Sequence, residues 1–384
     1  MQSSPITRRE ALLTIAAGAA TAAGTSGCGA RVASESGNHE RRESAAASST
    51  IERVAPLSFP FETRDPFLFC VHHDDHYPAG NPELGPNATL SGRNLGQDFD
   101  LRNGFRMYHG KRIPGFPQHP HRGFETVTFV RKGIVDHSDS LGAAGRYGGG
   151  DVQWMTAGGG VLHAEMFPLL NQEEPNHLEL FQIWLNLPAR KKMVAPDYKM
   201  IWNEQIPRHE FQDAAGRKTL ITLVAGQFEG ISPPSPPPNS WASEPDSDVA
   251  IWNFRIEPDA QVLVPAAHKG TNRTLYVYSG AKLRILGRQI PSSSLVEVRA
   301  DVPLSLQAGD ELVEVLLLQG KPIGEPVVQH GPFVMNTQAE IVQTIRDYQR
   351  TQFGGWPWNE ADPVHGNARL RFARHADGSE ETPT

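Results

Sequence analysis

From Phe59 onward the chain is written in short apolar runs broken by turn residues, and three-and-four spacing is confined to one stretch near its end. Side chains arranged this way are buried by stacking strands, so the pattern predicts an all-β protein. Glycine (36) and proline (31) are abundant among 384 residues and only 21% are charged, which agrees with many strands joined by turns. That length exceeds what one hydrophobic core usually serves, so two domains are expected. "FETVTFVRKGIVDHSD" alternates Phe124, Thr126 and Thr128 against Val127 and Phe129, stops at Lys132 and Gly133, and resumes at Ile134 and Val135; it reads as a hairpin. "RTLYVYSGAKLRILG" (273–287) repeats the pattern, and "LELFQIWLNLP" (178–188) and "VEVLLLQG" (313–320) supply further strands. The chain thus reads as two similar β units. The glycines of "GRYGGGDVQWMTAGGG" (145–160) suit tight corners, with Asp151 in the turn before a strand. The proline-rich "SPPSPPPNSWASEPDSD" (232–248) reads as a surface loop of the second unit. "NTQAEIVQTIRDYQRTQF" predicts a short helix capped by Thr337, with Ile341, Ile345 and Tyr348 on its apolar side.

The first thirty residues set Arg8 and Arg9 before an Ala- and Leu-rich run that ends in small residues, the pattern of an export signal. "TRREALL" resembles the twin-arginine class, whose route carries folded proteins. "TSGC" before Gly29 resembles a lipoprotein box, with Thr25 where an aliphatic residue is preferred, and marks Cys28 as a candidate lipid tether to the membrane. The expected order is an export signal at 1–30, a disordered linker at 31–52, a first domain at 53–185, a second at 186–360 and a flexible tail at 361–384. The expected location is outside the cytoplasm, in the periplasm or on the outer face of the membrane, as a monomer. With only Cys28 and Cys70 there is no disulfide framework, and Cys70, in an apolar run after Phe69, reads as a buried small hydrophobe. A net charge of -7, a pI near 6.1 and the lack of a Lys/Arg run exclude nucleic acid as an expected partner.

"QHPHRGFETV" (118–127) places His119 and His121 one residue apart, and 44 residues further on "GGGVLHAEMFP" places His163 and Glu165 at the same spacing. Residues i and i+2 of a strand share a face, so each pair presents two donors side by side. If the two segments are neighbouring strands, they offer three imidazole nitrogens and one carboxylate around a single mononuclear metal, with a position left for water or substrate. Nitrogen-rich donors without thiolate favour Fe(II), Mn(II), Ni(II) or Zn(II) over calcium or magnesium. The competing reading is two polar stretches on solvent faces. The second β unit has no such pair; His268 stands alone in "PAAHKGTNRTLYVYSG" and reads as structural.

"HPHRGFETVTFV", "GGGDVQWMTAGGGVLHAEMFP", "FQIWLNLPARKKMVAPDYK" and "GPFVMNTQAEIVQTIRDYQRTQFGGWPW", in that order, closely resemble the pirin family of the cupin superfamily, from about residue 56 to about 358. The resemblance implies two β-sandwich cupin (jelly-roll) domains packed face to face and one metal, usually iron, in the first. It carries the ligand roles onto His119, His121, His163 and Glu165, with Glu125, expected on the same strand face as His121, as the rival carboxylate of cupins at large. Phe69, Phe129, Gln153, Trp154, Met155 and Met166 are candidates for the pocket wall, against the plainer reading of core. "CVHHDDHYPAG" (70–80) departs from the family's usual shorter acidic stretch. It reads as a solvated polar loop with Asp74 near the pocket, and alternatively as a second metal site or a source of acid/base residues.

Two functions follow as expectations. One is a quercetin 2,3-dioxygenase-like reaction, with a flavonol or related phenolic or enolic substrate, O2 as co-substrate and Glu165 as the base; Glu125 and the acids of the 72–76 cluster are alternative bases. The other is a non-catalytic metal-binding or redox-sensing protein that interacts with a partner, a role some pirins are described as filling.

Overall fold

The computed structural model describes residues 49–384; the expected export signal, Cys28 and the linker as far as residue 48 lie outside the described residues. The first domain is built from β2 to β10, with β1 (Ile51–Pro56) lying elsewhere: β2 (Phe67–Tyr77), β3 (Gly115–His121), β4 (Phe124–Lys132), β5 (Ile134–Asp139), β6 (Ala144–Gly148), β7 (Val152–Thr156), β8 (Val161–Met166), β9 (Asn176–Asn186) and β10 (Asp197–Ile201). One sheet runs β10-β7-β4-β9-β2 and faces a second that contains β6-β5-β8-β3. Between them lies a core that includes Tyr77, Val130, Tyr147, Met155 and Tyr198.

The second domain repeats the plan with β11 (Arg208–Gln212), β12 (Lys218–Ala225), β13 (Ala250–Ile256), β14 (Gln261–Val264), β15 (Asn272–Ser279), β16 (Leu283–Ile285), β17 (Arg288–Ile290), β18 (Ser294–Arg299), β19 (Leu304–Ala308) and β20 (Val313–Gly320). Its larger sheet, β18-β15-β20-β13-β12-β11, gains β1 beside β18, and its smaller sheet runs β14-β19-β16-β17. The expected two-domain all-β architecture with a short helix is what the structure shows; that helix is α1 (Gln338–Thr351), reached after the hairpin of β21 (Val328–His330) and β22 (Phe333–Met335). Thr337 and Glu340 form a capping box at its start, and Ile341, Ile345 and Tyr348 pack on Phe333 and Met335.

Several local expectations change. Residues 124–135 are not a hairpin, because β4 pairs with β7 and β9 while β5 pairs with β6 and β8 in the facing sheet. Gly133 makes the corner at φ +81°, where an added Cβ would lie 2.8 Å from the His177 carbonyl oxygen. Residues 273–287 turn the same kind of corner, from β15 to β16. The stretch expected as a polar loop at 70–80 lies largely in β2, paired along its length with β9. Its backbone groups are used by that ladder, and its histidines and aspartates alternate between the two faces.

The domain limits differ from those expected as well. β1 belongs to the second domain's sheet through β18, β10 belongs to the first domain through β7, and residues 361–384 contribute β23 (Phe372–Arg374) and β24 (Glu380–Glu381) to the first domain. That tail is held by more than backbone: Arg371 donates to Asp151 at 2.7 Å and to Glu204 at 2.5 Å, and the His365 amide donates to Asp136 at 2.7 Å.

The two domains meet back to back. The outer face of β4, β7 and β9 supplies Val127, Phe129, Trp154, Phe181 and Ile183, which pack with Cys70 of β2 against Tyr276, Leu316 and Leu318 of the second domain. The central strands of the first domain's five-stranded sheet, β4 and β7, are therefore covered on both faces. The proline-rich loop expected at the surface of the second domain reaches this seam, where Ser240 is fully buried. Arg131 also bridges the domains, paired with Glu179 on one side and Glu314 on the other.

Candidate metal centre

β3 and β8 are antiparallel neighbours, and their register sets His119 directly opposite His163. Period-two alternation then brings His121 and Glu165 to the same interior face. The ring centroids of His119 and His163 are 4.4 Å apart, those of His121 and His163 are 4.8 Å apart, and one donor atom from each of the three falls within 4.8 Å of the others. Glu165 stands next to them, its Oε2 4.0 Å from His163 Nε2.

Burial holds the three imidazoles neutral: His119 is lowered to about 4, and His121 and His163 lie well below the usual histidine range. His119 Nδ1 donates to the Pro117 carbonyl at 2.8 Å, which leaves the lone pair on Nε2. Among the described residues, neither nitrogen of His163 has a hydrogen-bond partner, nor does Nδ1 of His121. Buried polar atoms normally have partners, so these nitrogens fit a divalent cation. His119, His121 and His163 could hold it, with Glu165 as the adjoining carboxylate. Glu165 already accepts from Tyr147 at 3.3 Å and from Gln182 Nε2 at 3.3 Å, and the Thr128 hydroxyl lies 2.9 Å from its Oε1. These bonds fix its orientation.

The cluster opens into a cavity of about 480 Å³ whose wall is largely aromatic, with Phe69, Phe116, Phe99 and Trp184 around His119 and His121. Phe69 and Trp184 lie 4.8 Å apart between centroids. Of the expected wall residues, Phe69 lines the cavity and several do not. Phe129 and Trp154 point to the opposite face of their sheet and pack in the seam between domains. Met155 belongs to the sandwich core, Met166 packs with Leu84 and Ile113, and Gln153 is buried 3.5 Å from the Tyr147 hydroxyl. Asp74 points outward from β2 and is half exposed.

Glu125 lies apart from the cluster, because the Arg122–Gly123 bend ends β3 before β4 begins in the other sheet, so the two residues do not share a strand. Gly123 sits at φ +85° with Val334 oxygen where a Cβ would go, 2.0 Å away, so no other residue fits this bend without displacing β22. Glu125 instead faces the second domain, where Thr156 and Ser240 hydroxyls donate to it at 2.8 and 2.7 Å and Trp154 Nε1 and the Trp241 amide at 3.3 Å each.

His73, which the sequence offered only as one member of the 72–76 cluster and not as a wall residue in its own right, lies on the cavity wall. Phe69, Val71 and His73 of β2 all line the cavity. His73 Nδ1 lies 2.6 Å from the Tyr108 hydroxyl, which donates to Asp75 at 2.5 Å, and Asp75 also accepts from the Arg106 backbone amide at 2.9 Å and its guanidinium at 3.1 Å. Since the tyrosine proton goes to Asp75, His73 Nδ1 carries the proton given to Tyr108, and its Nε2 is a bare acceptor. Tyr108 holds a left-handed backbone at φ 56° to reach this position. The signal was available: had 67–77 been read as a strand, Phe69 inward would have placed His73 and Asp75 inward too.

Comparison with known proteins agrees with this architecture. The pirin profile matches residues 61–185, and the pirin C-terminal cupin domain matches 251–354. A Pseudomonas aeruginosa protein named "putative quercetin 2,3-dioxygenase" is 38% identical over 240 residues, spanning 62% of this chain and 79% of its own. Human pirin is 35% identical over 260 residues, spanning 65% and 81%. A solved structure of quercetin 2,3-dioxygenase from Acinetobacter baumannii superimposes with a TM-score of 0.63 at 25% identity, covering 80% of this chain and 99% of that one.

Proposed function

The chain belongs to the pirin family, and from that premise we propose that it is a metal-dependent dioxygenase acting on a flat phenolic or enolic substrate such as a flavonol. The observation that carries the reading is the convergence of three neutral histidines, with ring nitrogens of His121 and His163 left without a hydrogen-bond partner, beside an aromatic cavity that His119 and His121 line. We assign His119, His121, His163 and Glu165 as the ligands and iron(II) as the resident ion, with manganese, nickel and zinc as the competing occupants. When bound, the ion supplies Lewis acidity that acidifies a coordinated hydroxyl and a path for charge toward O2.

The protein's own part is binding, orientation and proton handling. Phe69, Phe116 and Trp184 line the cavity and offer apolar ring surface to a planar substrate. The substrate hydroxyl donates to Nε2 of His73, and its proton passes to that nitrogen. Burial, with Arg106 and His72 nearby, lowers His73 to about 3 and keeps its imidazole neutral, so Nε2 is free to accept; the acidification of the substrate hydroxyl would come from a bound metal. The Tyr108–Asp75–Arg106 chain keeps the Nδ1 proton in place and receives the charge that develops on the imidazole. Glu165 suits this role less well, because Tyr147, Gln182 and Thr128 already occupy its oxygens. For a flavonol, both atoms of O2 would enter the products and one ring carbon would leave as carbon monoxide.

The test supplies quercetin to iron-loaded protein in air and records oxygen uptake and carbon monoxide release. Uptake and carbon monoxide in equal amounts support the reading; tight metal binding without uptake from any phenolic or enolic compound overturns it in favour of a metal-binding module. In the same assay His73→Gln is expected to keep its metal and lose about 100-fold in kcat. Unchanged kcat would return the base to Glu165.

A further inference from the structure

The outer face of β2 carries a second convergence of donors. Asp74 and His76 are i and i+2 on that strand, and His177 of β9 is the register partner of His76. This is the plan of the interior cluster repeated on the opposite face, with two donors on one strand and a third directly across from one of them. His177 Nε2 is 2.7 Å from Asp74 Oδ1, His76 Nε2 is 3.7 Å from the same oxygen, and the two imidazole rings stack at 4.0 Å. Both Nε2 atoms and the carboxylate oxygen therefore meet at one point.

We infer that Asp74, His76 and His177 form a surface site for a borderline divalent cation of the zinc, nickel or copper type. The three donor atoms lie within 4.8 Å of one another. Donors around a tetrahedral zinc at about 2.0–2.1 Å stand roughly 3.4 Å apart, so modest side-chain rotations complete the site. The side chains are 47, 64 and 31% exposed for Asp74, His76 and His177, which leaves them free to turn and leaves the mouth open to an ion and its remaining waters. Two imidazoles and one carboxylate select against calcium and magnesium. The long β2–β9 ladder beneath fixes the backbone, and the Asp74–His177 hydrogen bond already holds the carboxylate in place. Glu179, opposite Asp74, is taken up by Arg131, Lys132 and His72 and stays outside the site. Occupancy would also brace the strand whose inward residues, His73 and Asp75, line and support the interior cavity.

The experiment titrates zinc chloride into the untagged full chain, counts bound zinc after desalting, and repeats this with His76→Ala, His177→Ala, His163→Ala and the exposed control His268→Ala. The expected result is one fewer equivalent for each of the first two variants, with unchanged circular dichroism and thermal midpoint without added metal. His163→Ala should lose a different equivalent and keep the surface one, so the double variant His76→Ala/His163→Ala loses both. His268→Ala should match wild type. Zinc uptake in His76→Ala and His177→Ala equal to wild type in amount and affinity would overturn the site.

Discussion

On the proposed reading, substituting His163 by alanine is expected to lower affinity for a metal at the interior cluster by more than the roughly 100-fold that losing a supporting residue costs, and to abolish the proposed oxygen uptake with it. His163 is fully buried, stands directly across from His119, and belongs to two of the three close ring pairs of the cluster. The stability of the same position should reverse sign with metal. In stripped protein, both ring nitrogens of His163 are desolvated without a partner, at about 1–3 kcal/mol for such a group. His163→Leu, close in volume and apolar, is therefore expected to match or exceed the thermal midpoint of stripped wild type, and to fall below wild type once iron is added. Metal content by elemental analysis and melting curves with and without iron check both halves. A stripped His163→Leu protein that melts far below stripped wild type would mean the histidine is there for packing.

The second large effect is expected at Glu125, in the seam rather than the cavity. Its carboxylate receives Thr156 and Trp154 Nε1 from its own domain and Ser240 and the Trp241 amide from the other. Glu125→Ala leaves these buried donors unpaired and is expected to cost about 4 kcal/mol, read from denaturant unfolding. Burial pushes this carboxyl up to about 7 from 4.5, against the pull of those four donors. A group whose folded value is raised binds its proton more tightly folded than unfolded. Its contribution is thus complete below about pH 4.5 and is lost as pH rises through 7, in all about 3 kcal/mol. Wild type should lose more stability than Glu125→Gln between about pH 5.5 and pH 8.5; parallel pH profiles would show that the carboxyl is already ionised at the lower value.

The interior cluster was legible because it rests on a local rule. His119 with His121, and His163 with Glu165, share faces in any extended strand, and only the pairing of β3 with β8 had to be supplied by the fold. Glu125 was misplaced because the Arg122–Gly123 bend, which moves the chain to the other sheet, depends on contact with Val334 from far along the sequence. Phe129 looked like a cavity residue because alternation tells inside from outside only when one face is wet, and β4 is covered on both. The charged composition of 72–76 concealed a strand, since β2 buries Asp75 and His73 by pairing them with Tyr108 and Arg106. The placement of residues 361–384 depends on pairing with β6, more than two hundred positions earlier, for which neither end carries a local sign.

That pairing and its counterpart at the other end make the chain interlaced. Its first described strand completes the sheet of the second domain, and its last strands extend a sheet of the first. A boundary drawn between β10 and β11 would therefore leave β1 orphaned on the first fragment and β23 and β24 orphaned on the second, with exposed sheet edges where each belongs. The protein is best regarded as a single cooperative unit tied at both ends, so that duplication of the cupin plan is visible in its shape while neither copy can be lifted out by a single cut.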